Sequence, residues 1–400
     1  FAKAVSQGLL DEGVDVVDIG LCSTPLFNFA CAHYPEQAGG IMVTASHNPA
    51  KYNGFKITLE NGLPVGENNG LKRLKELVLA YNFLPAQFGA KIESKNVYPD
   101  YETKIFSLVN PQTIKPMKLV IDAGNGMAKV TIPKILAKLP IEVEYLYLEP
   151  DGNFPNHEAN PLKTETLRDL QKKVMENKAD FGFALDGDAD RIGLIDELGE
   201  VVPASFVGGL IGLEVLKKHP AGLMLMDLRC SRSVKETWEK LGAKTDLCKV
   251  GHANIKKSMK ERGAIFASEL SLHVYYNDLY DLESPDLSLL YILKILSEQN
   301  QKLSELWKPL NYYFHSGEIN FEVENKEEIL EKLAEKYADA EINKLDGLLF
   351  TYPDLPAGEA GWWFSIRASN TEPVLRLNLE AKTEEVMKGK VKEVRKIIEE

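Results

Sequence analysis

Three short stretches of the chain carry residues suited to phosphate chemistry, and a fourth carries groups suited to a sugar. The first is Thr44-Ala45-Ser46-His47-Asn48-Pro49, which follows the apolar run GGIMV. That run reads as a strand, so Ser46 falls at a strand's C-terminal end, where open α/β sheets bind ligands. A serine there can accept and return a phosphoryl group if its neighbours neutralise charge. A plain turn is the competing reading, since Ser, Asn and Pro are common turn residues. Lys56, ten positions on in YNGFK, can return to the site as a base or a phosphate clamp, or be solvated surface.

The second stretch, Asp186-Gly187-Asp188-Ala189-Asp190-Arg191, follows FGFAL. Three carboxylates at alternate positions repel one another unless a cation sits between them. An oxygen-only ligand set suits Mg²⁺ or Ca²⁺. A helix–loop–helix calcium site is excluded, although Glu197 falls at its twelfth position. That motif needs Gly at the sixth position, where Arg191 stands, and helices where strands are expected. The third stretch is Ser268-Glu269-Leu270-Ser271-Leu272-His273. Glu269 and Ser271 can hydrogen-bond sugar hydroxyls and His273 can shuttle protons, but a strand-end Glu and a lone His are usually structural. The fourth runs from Arg367 through Ala368, Ser369, Asn370, Thr371 and Glu372 to Pro373, with Arg376 beyond. Two guanidiniums, two hydroxyls and an amide on one loop would clamp a dianionic phosphate.

The elements that must position these loops alternate between strand-like apolar runs and amphipathic helices, the pattern of α/β layers. FAKAVSQGLLDEGVDVVDIG predicts a helix and then a strand. MKLVIDAGNGMAK, IEVEYLYLEPDG and ADFGFALDGDADRIGLID build a second block, and AGLMLMDLRCS, SRSVKETWEKLG and AIFASEL a third. After SLLYILKILSEQN the pattern changes to HSGEINFEVEN, a Glu/Lys-rich helix, DGLLFTYP and GWWFSIRAS. The expected fold is three similar α/β domains with mixed sheets plus a smaller C-terminal α+β domain. They divide as residues 1–110, 111–213, 214–312 and 313–400. The chain opens inside a helix without Met or a cap, which reads as an N-terminal truncation.

Bulk properties exclude several classes. The 400 residues are 44% apolar and 26% charged, with net charge −12. An acidic protein is a poor match for nucleic acid or anionic membrane, and no apolar run approaches the roughly 20 residues of a membrane span. Cys22, Cys31, Cys230 and Cys248 form no C-x-x-C pair and read as reduced thiols of a cytoplasmic protein.

In this order the four loops resemble the α-D-phosphohexomutase superfamily, in its phosphomannomutase/phosphoglucomutase branch. The resemblance implies four domains around a central cleft, one loop from each. It makes Ser46 the phosphoserine. Asp186, Asp188 and Asp190 then hold Mg²⁺ together with Ser46 or its phosphate, and Arg191 and Lys56 flank the reacting centre. Glu269 and Ser271 read the sugar, while Arg367, Ser369, Asn370 and Thr371 hold the phosphate that is not reacting. His252, in Lys249-Val250-Gly251-His252, and His273 match positions used for substrate contact or proton transfer. Asn53-Gly54-Phe55-Lys56 looks more like the glucose/mannose enzymes than the glucosamine ones. The implied reaction moves phosphate between C6 and C1 of a hexose through a hexose 1,6-bisphosphate. The implied partner is a small hexose phosphate, and the implied state is monomer or dimer. A phosphoglucosamine mutase and a non-catalytic sugar-phosphate binder are the alternatives. The chain departs from the pattern G-E-x-S-G-H, because Ser268 and Leu272 replace its two glycines. With Glu269, Ser271 and His273 keeping their spacing, Leu272 is expected to project toward the sugar and narrow the space beside it.

Overall fold

A computed structural model describes residues 1–66, 69–80, 89–353, 361–369 and 373–400. The chain begins with helix Ala2–Asp11 and strand Val16–Asp18, which pairs in parallel with Ile92–Ser94. Helix Thr24–His33 follows, its N-terminus capped by the Ser23 hydroxyl. Its residues Thr24 to Cys31 are all buried, so it is a core helix rather than a surface one. Strands Gly39–Val43 and Phe55–Leu59 form an antiparallel pair, which places Ser46 and Lys56 close together from either side of one turn.

The second and third sheets share one topology. In the second the order is Ile141–Leu146, Met117–Asp122, Phe181–Leu185, Ile192–Asp196, Val201–Val202. In the third it is Lys244–Cys248, Leu223–Asp227, Phe266–Ser268, Val274–Tyr276, Leu282–Glu283. Each has three parallel strands followed by two antiparallel ones. The architectural repeat expected from the sequence is thus present as mixed sheets. Strand Phe181–Leu185 is buried throughout, as a central strand covered on both faces should be. Helix Ala204–Lys218 packs on strand Phe266–Ser268 and helix Pro285–Gln299, so the division expected near residue 213 falls inside a helix of the third layer.

The last sheet is wholly antiparallel, in the order Phe314–Glu322, Val374–Ala381, Trp362–Ala368, Leu348–Tyr352, Glu341–Asn343. Its apolar face, with Phe350, Phe364, Leu377 and Leu379, forms a core with residues of the helices Lys326–Lys336 and Glu384–Glu399. A larger core is continuous across the first three units.

Candidate active site

The aspartate loop is buried: Asp186, Asp188 and Asp190 are 0%, 1% and 6% exposed. One oxygen from each lies within 4.8 Å of the others. The loop turns on Ala189, whose φ is +57°. Asp186 Oδ1 accepts the backbone N–H groups of Asp190 (3.0 Å) and Arg191 (3.2 Å), which fixes the carboxylate. Asp186 Oδ2 is buried without a hydrogen-bond donor, and Asp190 Oδ1 has only long contacts, to His273 and Arg191. Burial first, then Asp190 and Asp188, drives the Asp186 pKa well up. Three buried carboxylates converging in this way, with under-satisfied oxygens on Asp186 and Asp190, fit a hard divalent cation. Arg191 stands behind them, its Nε 3.6 Å from Asp186 Oδ2 and 4.0 Å from Asp190 Oδ1.

Ser46 is aimed at this cluster. Its φ is +55°, a left-handed conformation that costs a non-glycine residue energy and recurs at functional sites. Its hydroxyl donates to Asp188 Oδ1 at 2.8 Å. Gly187 permits the approach, because a Cβ there would lie 2.7 Å from the Ser46 carbonyl oxygen. Lys56 completes the cluster, with Nζ 2.8 Å from Asp190 Oδ2 and also paired with Asp188. Burial disfavours its charge, but Asp190 and Asp188 outweigh burial and hold it as an ammonium.

The loop from Ser268 to His273 enters from the third sheet. His273 bridges two carboxylates, with Nδ1 3.1 Å from Glu269 Oε2 and Nε2 3.3 Å from Asp190 Oδ1. Burial opposes its charge, yet Asp190 and Glu269 raise its pKa to about 9, so it is an imidazolium at neutral pH. Ser271 Oγ lies 2.9 Å from the same Nδ1. Glu269 also accepts the N–H of Gly251 (2.8 Å) and the hydroxyl of Tyr275 (3.1 Å). His252 opens helix His252–Arg262 and keeps solvent contact. Desolvation, with Lys256 adding to it, lowers its pKa to about 4.

The two substituted glycines resolve differently. Ser268 is tolerated because Gly208 faces it, where a Cβ would come within 2.5 Å of Ser268 Cβ. Leu272 keeps the glycine-like backbone, with φ +70°, and its carbonyl accepts the N–H of Ile192 at 3.2 Å. Its side chain is only 6% exposed. It is a packed residue, which leaves little of it free to project toward a sugar as the sequence reading expected.

In the fourth loop, Arg367 and Arg376 lie directly opposite each other on neighbouring strands. Ser369 is buried and its N–H donates to the Val374 carbonyl at 2.9 Å. Asn370 and Thr371 lie outside the described residues.

Four family models tile this chain: phosphoglucomutase/phosphomannomutase α/β/α domain I matches residues 1–83, domain II 96–199, domain III 205–313, and the C-terminal domain 318–397. The chain belongs to the phosphoglucomutase/phosphomannomutase family. A phosphomannomutase of Methanocaldococcus jannaschii is 38% identical over 97% of this chain and 85% of that protein. A phosphomannomutase of Vibrio cholerae is 36% identical over 99% and 86%. Among solved structures, a phosphoglucomutase/phosphomannomutase family protein of Burkholderia thailandensis superposes with a TM-score of 0.88 at 30% identity, over 99% of this chain and 85% of that one.

Within this family member, Ser46, Lys56, Asp186, Asp188, Asp190, Arg191, Glu269, Ser271 and His273 form one connected network. Two residues in it had no signature in the sequence. Thr24 donates its hydroxyl to Asp188 Oδ2 at 2.6 Å and its N–H to the Asp188 carbonyl at 2.9 Å. The only hint was a second hydroxyl beside the helix cap Ser23. Arg229, in the turn after strand Leu223–Asp227, is buried, paired with Asp227 at 2.8 Å, and 3.9 Å from Glu269. Its hint was a charge placed immediately behind a buried strand.

Proposed function

We propose that this chain interconverts the 6-phosphate and 1-phosphate of mannose, glucose or both, with Ser46 carrying the phosphoryl group. The observation that supports this most is the Ser46 hydroxyl at 2.8 Å from one of three converging, buried aspartates. A binder of sugar phosphates has no need of a strained serine aimed at a cation site. In the first half-reaction the P–O bond to Ser46 breaks and a bond forms from phosphorus to the free hexose hydroxyl, which gives up its proton. The resulting 1,6-bisphosphate turns end for end, and its other phosphate returns to Ser46.

Asp186, Asp188 and Asp190, with Ser46 or its phosphate, would hold Mg²⁺, which would supply charge neutralisation for phosphoryl transfer. Arg191 and Lys56 keep two positive charges beside the oxygens on which negative charge develops. His252, held neutral, offers a basic nitrogen, and His273, held as an imidazolium, offers a proton. Glu269 and Ser271 face the sugar hydroxyls. Arg367 and Arg376, with Ser369, Asn370 and Thr371, clamp the phosphate at the far end. We further read the protein as cytoplasmic and as a monomer or dimer. No helix among the described residues is long and apolar enough to cross a membrane.

Coupled assays on mannose 1-phosphate, glucose 1-phosphate and glucosamine 1-phosphate test the reading. Turnover of either of the first two, dependent on Mg²⁺ and primed by a hexose 1,6-bisphosphate, is the expected result. Turnover of the glucosamine ester alone would overturn the sugar assignment, and none on any of the three would overturn the reaction.

A further inference from the structure

The seam between the third and fourth sheets has two unlike halves. One half is closely packed. Leu228, Leu349 and Trp363 form an apolar cluster across it. The buried Glu380 accepts from the Trp363 indole (2.7 Å), the Arg232 N–H (2.9 Å) and the Ser231 hydroxyl, so a carboxylate of the fourth sheet caps helix Arg232–Lys240 of the third layer. The other half is ionic and partly solvated. Glu318 Oε2 lies 3.3 Å from Arg229 Nη1 on the third-layer side, and its Oε1 lies 3.5 Å from Arg376 Nη1 on the fourth. Asp346 Oδ2 accepts the N–H of Val250 at 3.0 Å on the third-layer side and lies 3.7 Å from Arg367 Nε on the fourth. Each carboxylate therefore holds one arginine of the phosphate clamp and one group across the seam.

The chemistry of the clamp makes this double use consequential. Arg367 and Arg376 face each other across adjacent strands, an arrangement of like charges that is unfavourable unless anions sit beside it. Glu318 and Asp346 place negative charge there. Neither contact to the clamp is a close hydrogen-bonded pair, and Arg367 Nε is buried without an acceptor. A phosphate dianion forms shorter, bidentate bonds to guanidinium, and it repels the two carboxylates as it arrives.

We propose that Glu318 and Asp346 are internal anions that substrate phosphate displaces from the clamp, and that this exchange releases the ionic half of the seam. This deepens the phosphotransfer reading and rests on it. Displacing Asp346 frees the Val250 N–H, two residues before His252 and adjacent to Gly251, whose own N–H holds Glu269. Displacing Glu318 frees one contact of Arg229, itself beside Glu269. The far-end phosphate is thereby coupled to the loops that hold the sugar. The Glu380 and Trp363 half stays in place and serves as the pivot.

Calorimetric titration of inorganic phosphate into wild type, Glu318→Gln and Asp346→Asn tests the displacement. Both variants keep an acceptor of the same shape, so the fold is preserved while the competing charge is removed. Each is expected to bind phosphate about tenfold tighter, the size of one half-buried charge interaction. Hydrogen exchange at the Val250 amide of wild type is expected to quicken when phosphate is added. Equal or weaker phosphate affinity in both variants, or Val250 exchange that slows or does not change, overturns the proposal. Arg367→Ala separates the two levels. If it abolishes phosphate binding while both carboxylate variants match wild type, the displacement is wrong and the clamp stands. If it leaves phosphate binding intact, the clamp assignment falls as well.

Discussion

The Thr24 hydroxyl gives a sharp test of how the aspartate loop is held. It is 1% exposed and donates to Asp188 Oδ2 at 2.6 Å, while Ser46 donates to Oδ1 of the same carboxylate at 2.8 Å. Thr24 therefore fixes the rotation of the side chain that faces Ser46. Thr24→Val keeps the shape and the backbone bond to the Asp188 carbonyl but removes the donor. A hydrogen bond to a charged acceptor contributes about 1.5–3 kcal/mol. Loss of a bond that orients a metal ligand typically costs about 10–100-fold in metal affinity, or roughly 1.4–2.7 kcal/mol, so the two scales agree. Calorimetry should show Mg²⁺ binding about 10–100-fold weaker in Thr24→Val, with Thr24→Ser recovering most of the loss. Wild-type affinity in Thr24→Val would mean that Asp188 is oriented by Lys56 and the loop backbone alone, and the reasoning fails.

Three further outcomes follow from the same geometry. Arg367→Ala should raise KM with little change in kcat, whereas Arg191→Ala, beside Asp186 and Asp190, should lower kcat; steady-state kinetics showing the reverse would exchange their roles. Leu272→Gly relieves about 1–2 kcal/mol of left-handed strain but deletes a buried side chain at a cost of about 2–5 kcal/mol, so urea unfolding should show a net loss of stability, and a gain would contradict the packing seen here. Asp286 is buried and accepts from Tyr101 and Thr131, each at 2.8 Å, and burial raises its pKa to about 6. Because its protonated form is favoured in the folded state, the stability it contributes is full below pH about 4 and is lost as pH rises through about 6; unfolding measured across that window should show this slope flattened in Asp286→Asn.

Much of the architecture was legible because apolar runs and helical spacing recur locally. FGFAL announced a buried strand, and the aspartates behind it announced a convergent carboxylate cluster. The order of strands within each sheet was not legible, since pairing joins segments far apart in the chain. The same limit hid Thr24, 164 positions from Asp188, and the Glu318 and Asp346 contacts, which form only when two layers meet. For Lys56 the sequence allows a base, a phosphate clamp or solvated surface; its pairing with Asp188 and Asp190 excludes the last. The packing of Leu272 was not legible, because which way its side chain turns depends on neighbours from other segments.

The central claim is that Ser46 carries the phosphoryl group. Intact-mass and peptide-mapping mass spectrometry after incubation with a hexose 1,6-bisphosphate and Mg²⁺ tests it most directly. One added phosphate on Ser46, absent from Ser46→Ala together with turnover while Arg367-dependent phosphate binding persists, is the predicted result. Turnover by Ser46→Ala near the wild-type rate, or the phosphate on another residue, would contradict it.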